Sequence, residues 1–505
     1  MSTTTGSVVN ERPHMRFSGM EDVALARFIE LYTRHRITAR TSNPLIPHVN
    51  SILREYNNNA QQFKLILPFV LRMFTELCER IASNSQTQDA TQKAYSRELY
   101  ELYAKMVDNC ILISGRSFDQ TTWLRRTNAD TNSQIELVVR TDASNTPTDD
   151  VCVVSETDVI EQILTYISQS VIPQFALLVP DYERQVNIAT NLMHYVVTPA
   201  LKSHMTGGFS GPAQTLTSRS KHFSLVIDCL TALSHQASLM KVWRREVWDF
   251  FCDGKFFPSS TAADLVTMAP DLMPWWRHLV KTLLASEKDK FAEVLAKVTS
   301  TSSGPALFAN REHEALLRSL SVRRLSFSVW AGTVNQYLPT LPQIQEKLVD
   351  ILKNNPHPAV QIEVFLCLRV LLCRVSSHHM SNFWPMLLTE LMRLCLQQLR
   401  REGSEEIDQA NLFLAACKFL DLLFILGTDD FLVHQWIFIT DTIDALYGSR
   451  SASYALLDQL STRLLSMPTR HGIRRAHVSV GLDNGTYPAL LITDSDDPTN
   501  LVYQQ

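Results

Sequence analysis

Between Ala359 and Val375 the chain carries Val360, Val364, Phe365, Leu368, Leu371, Leu372 and Val375, with only a thin polar stripe between them. Steps of three and four predict an α-helix, and a helix this apolar must be covered on most sides. An inner helix of a stacked array meets that demand. The surrounding residues fit the same picture. Glu314 to Trp330, Pro339 to Leu352, Asn382 to Leu399, Ile407 to Leu426 and Phe431 to Leu446 are further candidate helices with short connections. Glycine is scarce, 15 in 505 residues, or about 3% against a usual ~7%. Few tight turns and few phosphate-cradling loops are therefore available.

The pattern extends upstream. Met20 to Ile37, Phe63 to Ile81 and Tyr95 to Ile113 repeat apolar residues at helical spacing, and it resumes from Val159. An apolar residue precedes a proline, with a helix-like run after it, at Leu67-Pro68, Ile172-Pro173, Met273-Pro274, Leu338-Pro339 and Trp384-Pro385. Proline suits a first helical turn, where its missing N–H has no intrahelical partner to lose. The last two prolines lie 46 residues apart, within the ~40–47 of HEAT or armadillo repeats. The expected fold is all-α, an α-solenoid-like array of antiparallel helix pairs of HEAT or armadillo type, with flexible termini. An irregular helical bundle is the alternative. The expected organisation is a flexible tail over 1–20, helical regions over 21–127 and 151–303 around a polar linker at 128–150, a HEAT-like region over 304–466, and a loosely ordered tail over 467–505, where 477–482 and 490–492 are candidate short strands.

The formal charge of −4, from 47 basic and 51 acidic residues, creates no broad field to draw in nucleic acid or anionic lipid. Nine scattered cysteines lack the spacing of a secreted disulfide scaffold, and a reducing compartment is the simpler expectation. Met1 to Asn10 is rich in Ser and Thr with no apolar core, so no signal peptide is expected. The most apolar runs, Ile362 to Val375 and Leu412 to Leu426, contain Arg369, Lys418 and Asp421 and are expected to be buried helices of a soluble protein.

The search for chemistry returns no catalytic, cofactor or metal residues. Neither a G-x-x-x-x-G-K-[ST] loop nor a G-x-G-x-x-G turn is present. His313-Glu314 opens like a metalloprotease helix, but Leu317 stands where the second histidine belongs. The neighbours His378 and His379 chelate poorly from one helical turn. Two clusters place arginine pairs beside tryptophan: Trp123 with Arg125 and Arg126, and Trp243 with Arg244 and Arg245. Exposed, they are candidate partner-binding anchors, since tryptophan and arginine often carry interface energy. The other reading buries each tryptophan while the arginines reach to solvent.

Several segments resemble the C-terminal region of the Dopey family, in the same order along the chain. They include Ser114 to Arg126, Met193 to Lys202, Val242 to Phe251, Leu307 to Arg311, Tyr337-Leu338-Pro339, Val364 to Leu372, Phe383-Trp384-Pro385 and Ala415 to Leu422. The resemblance implies a peripheral protein on Golgi, trans-Golgi network and endosome membranes, acting in protein transport. It further implies work with a large Arf-exchange-factor-like scaffold and a phospholipid flippase, and for some members a link to kinesin light chain. It carries over no catalytic or cofactor residues. Dopey proteins are several times longer and begin with an N-terminal domain that nothing here resembles. The expected function is a non-enzymatic scaffold working through protein–protein binding, with indirect membrane contact. The alternatives are direct binding of anionic lipid, a kinesin adaptor, or an enzyme with an unrecognised site.

Overall fold

The computed structural model describes residues 22–38, 43–83, 90–116, 156–205, 213–254, 256–257, 273–299, 311–354, 357–400, 407–439 and 455–466. The expected tails over 1–20 and 467–505, the linker at 128–150 and the candidate strands lie outside these residues. The chain divides into two compact units, Met1–Phe256 and Phe257–Gln505.

In the first unit the helices are α1 (Asp22–Arg36), α2 (Ile46–Asn58), α3 (Leu67–Ser83), α4 (Ala90–Gly115), α5 (Glu156–Tyr166), α6 (Tyr182–Leu192), α7 (Thr198–Met205), α8 (Ala213–Ser234) and α9 (Met240–Cys252). They form two layers. In one, α1 packs on α3, α3 on α5 and α5 on α8; in the other, α2 packs on α4, α4 on α6 and α6 on α9. The second unit repeats the plan with α10 (Met273–Ser286), α11 (Lys288–Thr299), α12 (Arg311–Ala331), α13 (Leu341–Asn354), α14 (Pro358–Arg374), α15 (Trp384–Arg400), α16 (Ile407–Leu426) and α17 (Leu456–Ser466). Here α10, α12, α14 and α16 follow one another in one layer. In the other, α11 packs on α13 and α15 on α17. The fold is all-α and solenoid-like, as the sequence pattern predicts.

Half-buried polar contacts reveal the repeat that the proline spacing only hints at. Arg72 meets Glu30 at 2.9 Å, 42 residues earlier. Asn50 and Asn57 of α2 donate to the carbonyls of Tyr95 and Leu102 in α4, each 45 residues on. In the second unit Arg323 of α12 meets Glu363 of α14, 40 residues on. Asn335 donates to the Ser376 hydroxyl at 2.7 Å, and the Ser376 amide donates back to the Asn335 side-chain oxygen at 2.9 Å. Asn335 holds φ of 61°, a left-handed conformation that asparagine tolerates better than most residues. Partner positions rise together along both helices, so alternate helices run parallel in one layer. Successive helices, joined by short turns, run antiparallel across the two layers.

Leu67-Pro68, Met273-Pro274 and Trp384-Pro385 open α3, α10 and α15. Leu338-Pro339 lies in a 3₁₀ turn that leads into α13. Ile172-Pro173 differs. It follows a π-helical turn, Ile167–Val171, that ends α5, because Pro173 has no N–H with which to continue the ladder. The sequence pattern also passes over α2, where Pro44 and Pro47 mask a helix that buries Ile46 and Leu53. A third difference concerns Phe431 to Leu446, expected as one helix. Within the described residues this stretch is a short helix, Asp429–Leu432, followed by a 3₁₀ turn, Gln435–Ile437. The seven-residue spacing of Phe431 and Phe438 fits a helix, but compact turns bring the two rings to 6.2 Å instead, both buried.

Core helix α14 buries Val360, Val364, Phe365, Cys367, Leu368, Val370 and Leu371, as its circumference requires. By length and composition alone, Asp408–Leu426 of α16 is long and apolar enough to cross a membrane. It is buried on one face only, through Leu412, Ala416, Phe419, Leu420 and Leu423, while Leu414 and Ile425 are exposed. The expected burial holds for that face alone, because α16 ends its layer among the described residues. Cys78, Cys110, Cys229, Cys367 and Cys395 are buried as small hydrophobes. Burial pushes the thiols of Cys367 and Cys395 up to about 12, which keeps them protonated and unreactive.

Gly115 ends α4 against the π-helical turn Met193–Val197. A Cβ there would sit 2.8 Å from Cβ of Tyr195 and 2.9 Å from its carbonyl oxygen. Because backbone is involved, the two segments must move apart to admit a methyl group. Gly115→Ala is expected to destabilise the first unit by about 1–3 kcal/mol, read as a lower melting temperature. Gly254→Ala, whose Cβ meets nothing within 4 Å, is the control.

Candidate partner-binding surface

The arginine–tryptophan cluster on α9 splits by burial. Val247 and Phe251 follow Trp243 at four-residue steps, and all three are buried. Trp243 is fully enclosed, and its indole N–H has no hydrogen-bond partner. It is a core residue, so its expected role as an exposed anchor is corrected. The i, i+4 apolar stripe decides which way the helix faces. Arg244 and Arg245 lie on the outer side. The Arg245 side chain is 87% exposed and stands 3.8 Å from Asp249. The structure thus separates the two residue types that the sequence grouped. Trp123, Arg125 and Arg126 fall outside the described residues.

A second surface was not legible as such in the sequence. Gly427, at φ of 53°, ends α16, and its amide donates to the Leu423 carbonyl at 3.0 Å. The chain then turns through Asp429–Leu432 into Gln435–Ile437. Phe431 is buried and packs against Trp384 at 6.1 Å and Phe424 at 5.2 Å. Phe438 is buried too, and its carbonyl accepts from the Leu457 amide of α17 at 2.9 Å. Asp430 accepts from the Ser381 hydroxyl at 3.0 Å. With both phenylalanines pinned inward, Leu432, Val433 and Trp436 are left facing solvent, Val433 at 70% and Trp436 at 66% exposed. An anchored turn presenting a tryptophan among aliphatics has the make-up of an interface hot spot. The available signal was Gly427 followed by two phenylalanines seven residues apart, a spacing that also fits a helix.

The described residues contain no group of three His, Cys, Asp or Glu side chains placed to hold a metal ion. An open groove of about 530 Å³ is lined by Arg72, Asp158, Glu161, Gln162, Thr165, Tyr166 and Gln169. Its arginine is already bonded to Glu30 and lies 5.1 Å from the Phe69 ring centre. Burial holds the Tyr166 phenol above its ordinary range, away from acid–base work near neutrality.

A family model described as DOP1 C-terminal matches residues 41–481. The Protein DOP1 homolog of Drosophila pseudoobscura pseudoobscura is 27% identical over 373 residues, covering 72% of this chain and 13% of that protein. Protein DOP1B of Mus musculus is 24% identical over 467 residues, or 84% of this chain and 18% of its own length. Protein DOP1 of Saccharomyces cerevisiae is 24% identical over 249 residues, 47% of this chain and 14% of its own. The chain spans less than a fifth of these relatives. No solved structure matches it significantly.

Proposed function

The chain belongs to the DOP1 C-terminal family, and from that premise we propose that it is a non-enzymatic helical scaffold acting in Golgi–endosome traffic through protein–protein binding. The observation that carries this reading is the ridge of Leu432, Val433 and Trp436, exposed on a turn whose Phe431 and Phe438 are buried. The Dopey resemblance supplies the partners: a large Arf-exchange-factor-like scaffold, a phospholipid flippase and, for motor attachment, kinesin light chain. Membrane contact is indirect, and the chain resides in the cytoplasm at Golgi, trans-Golgi network and endosome membranes. Direct lipid binding would rest on Arg244 and Arg245, and Arg245 already faces Asp249.

The test is binding of the purified chain to the immobilised Arf-exchange-like scaffold, flippase and kinesin light chain in turn. Trp436→Ala with Val433→Ala is expected to weaken capture of at least one partner by tenfold or more, a loss of ~1.4 kcal/mol or more. Both positions are exposed, so the melting temperature should not change. Unaltered affinity in the folded variant removes the ridge. Failure of the wild type to bind any of the three removes the scaffold reading, and flotation with anionic vesicles would then favour direct lipid binding.

A further inference from the structure

Helix α1 wears its apolar side outward. Phe28, Leu31 and Tyr32, at i, i+3 and i+4, are 55%, 45% and 54% exposed, and Ile29 beside them is 41% exposed. The rings of Phe28 and Tyr32 stack at 6.3 Å. On the side facing α3 the one buried residue is Thr33, and much of the attachment is polar. Glu30 accepts from Arg72, and Arg80 donates to the carbonyls of Thr33, Arg34 and Ile37. A helix of 15 residues is marginal by itself, and an outward stripe of this kind is what a helix turns toward a packing partner.

Three observations identify the occupant. First, α1 opens its layer among the described residues, with α3 on one side and the stripe on the other. Second, the layers advance by parallel helices about 40–45 residues apart, joined by apolar contacts and a polar clasp such as Glu30–Arg72 or Arg323–Glu363. Arg27 and His35, both exposed, lie beside the stripe as donors for one more clasp. Third, the matching family model is of the DOP1 C-terminal part, and this chain covers 13–18% of its fly and mouse relatives. The family model begins at residue 41, so α1 itself lies upstream of the family match, and the fly and mouse relatives hold more than four fifths of their length outside the part aligned with this chain.

We propose that the outward face of α1 seats a further helix of a DOP1-type array, parallel to α1, apolar toward Phe28, Leu31 and Tyr32 and acidic opposite Arg27. The long relatives supply it from the unit that precedes their counterpart of α1, which itself lies ahead of the matching region. This inference goes beyond the partner-binding reading and stands whether or not the Trp436 ridge binds anything.

The experiment compares hydrogen exchange of the full chain with that of two fusions. Each fusion carries, directly before α1, roughly 100 residues (about two such repeats) that end about 20 residues before the matching region begins in the Drosophila melanogaster or the Mus musculus relative, so that the relative's own counterpart of α1 is left out. The amides of α1 are expected to exchange at least tenfold more slowly in a fusion than in the chain alone. Phe28→Asp with Tyr32→Asp should restore fast exchange in α1 while leaving α3 and α4 unaltered. Equal exchange in the chain and both fusions overturns the proposal. So does α1 protection in the unfused chain that already equals that of α3, because the stripe is then covered from within. Concentration-dependent dimerisation that the same double variant abolishes also overturns it, with a second copy as the occupant.

Discussion

Leu368→Asp is expected to unfold the second unit around α14 while the first unit keeps its own transition. Leu368 is fully buried on a helix packed between α12 and α16. Removing a buried leucine costs about 2–5 kcal/mol. The aspartate adds a carboxylate at a fully buried position, and that penalty is of similar size or larger. The sum exceeds ~4 kcal/mol, in the exceptional class for single changes, and is comparable with the ~5–15 kcal/mol that holds a typical domain together. Calorimetry should show the second unit's transition lost or shifted far down, with fast exchange across α12, α14 and α16. Leu368→Met, which conserves volume, should cost less than ~1.5 kcal/mol. Retention of both transitions and of solubility by Leu368→Asp would contradict the central place given to α14.

The second large effect concerns Arg323 and Glu363. Their side chains are 15% and 6% exposed, and they meet through two hydrogen bonds, at 2.9 and 2.5 Å. The guanidinium also lies 6.0 Å from the Phe257 ring centre. Glu363→Ala is expected to cost about 3–5 kcal/mol, because it leaves a largely desolvated positive charge without its carboxylate. Replacing both partners, Arg323→Met with Glu363→Leu, should recover most of that loss, since a buried pair gains little over well-packed apolar groups. A double-mutant cycle on thermal stability measures the coupling. Additive losses would mean that the pair does not set the alignment of α12 on α14. The coupling should change little with salt, because the pair is shielded from solvent ions.

Both predictions draw on the same division of information. The all-α fold was legible because apolar steps of three and four along residues 311–426 admit only helices, and because α14 is too apolar to stand at a surface. The family resemblance was legible from collinear segments such as Val242 to Phe251. Legibility failed where a local signal had two physical outcomes. Proline opens α3, α10 and α15 but closes the π-helical turn after α5, and the residue itself is the same in both settings. In α9 tryptophan and arginine are neighbours in sequence, yet a helix turns successive residues about 100° apart. Trp243 therefore enters the core while Arg244 and Arg245 leave it.

The candidate surface was the least legible part, for a related reason. Nothing local distinguishes Phe431 from Trp436. Both are aromatic, in a stretch whose spacing suits a helix, and their fates separate only because Trp384, Phe424 and α17 stand on one side of the turn. By itself the sequence determined which segments become helices and that they must stack, since apolar periodicity is a property of neighbours in the chain. Only the tertiary structure decided the 40–45-residue parallel alignment, the burial of Trp243 and the exposure of Trp436 and of the α1 stripe. Those depend on contacts between residues far apart in sequence, where the free energy of burial is shared among partners that no local pattern names.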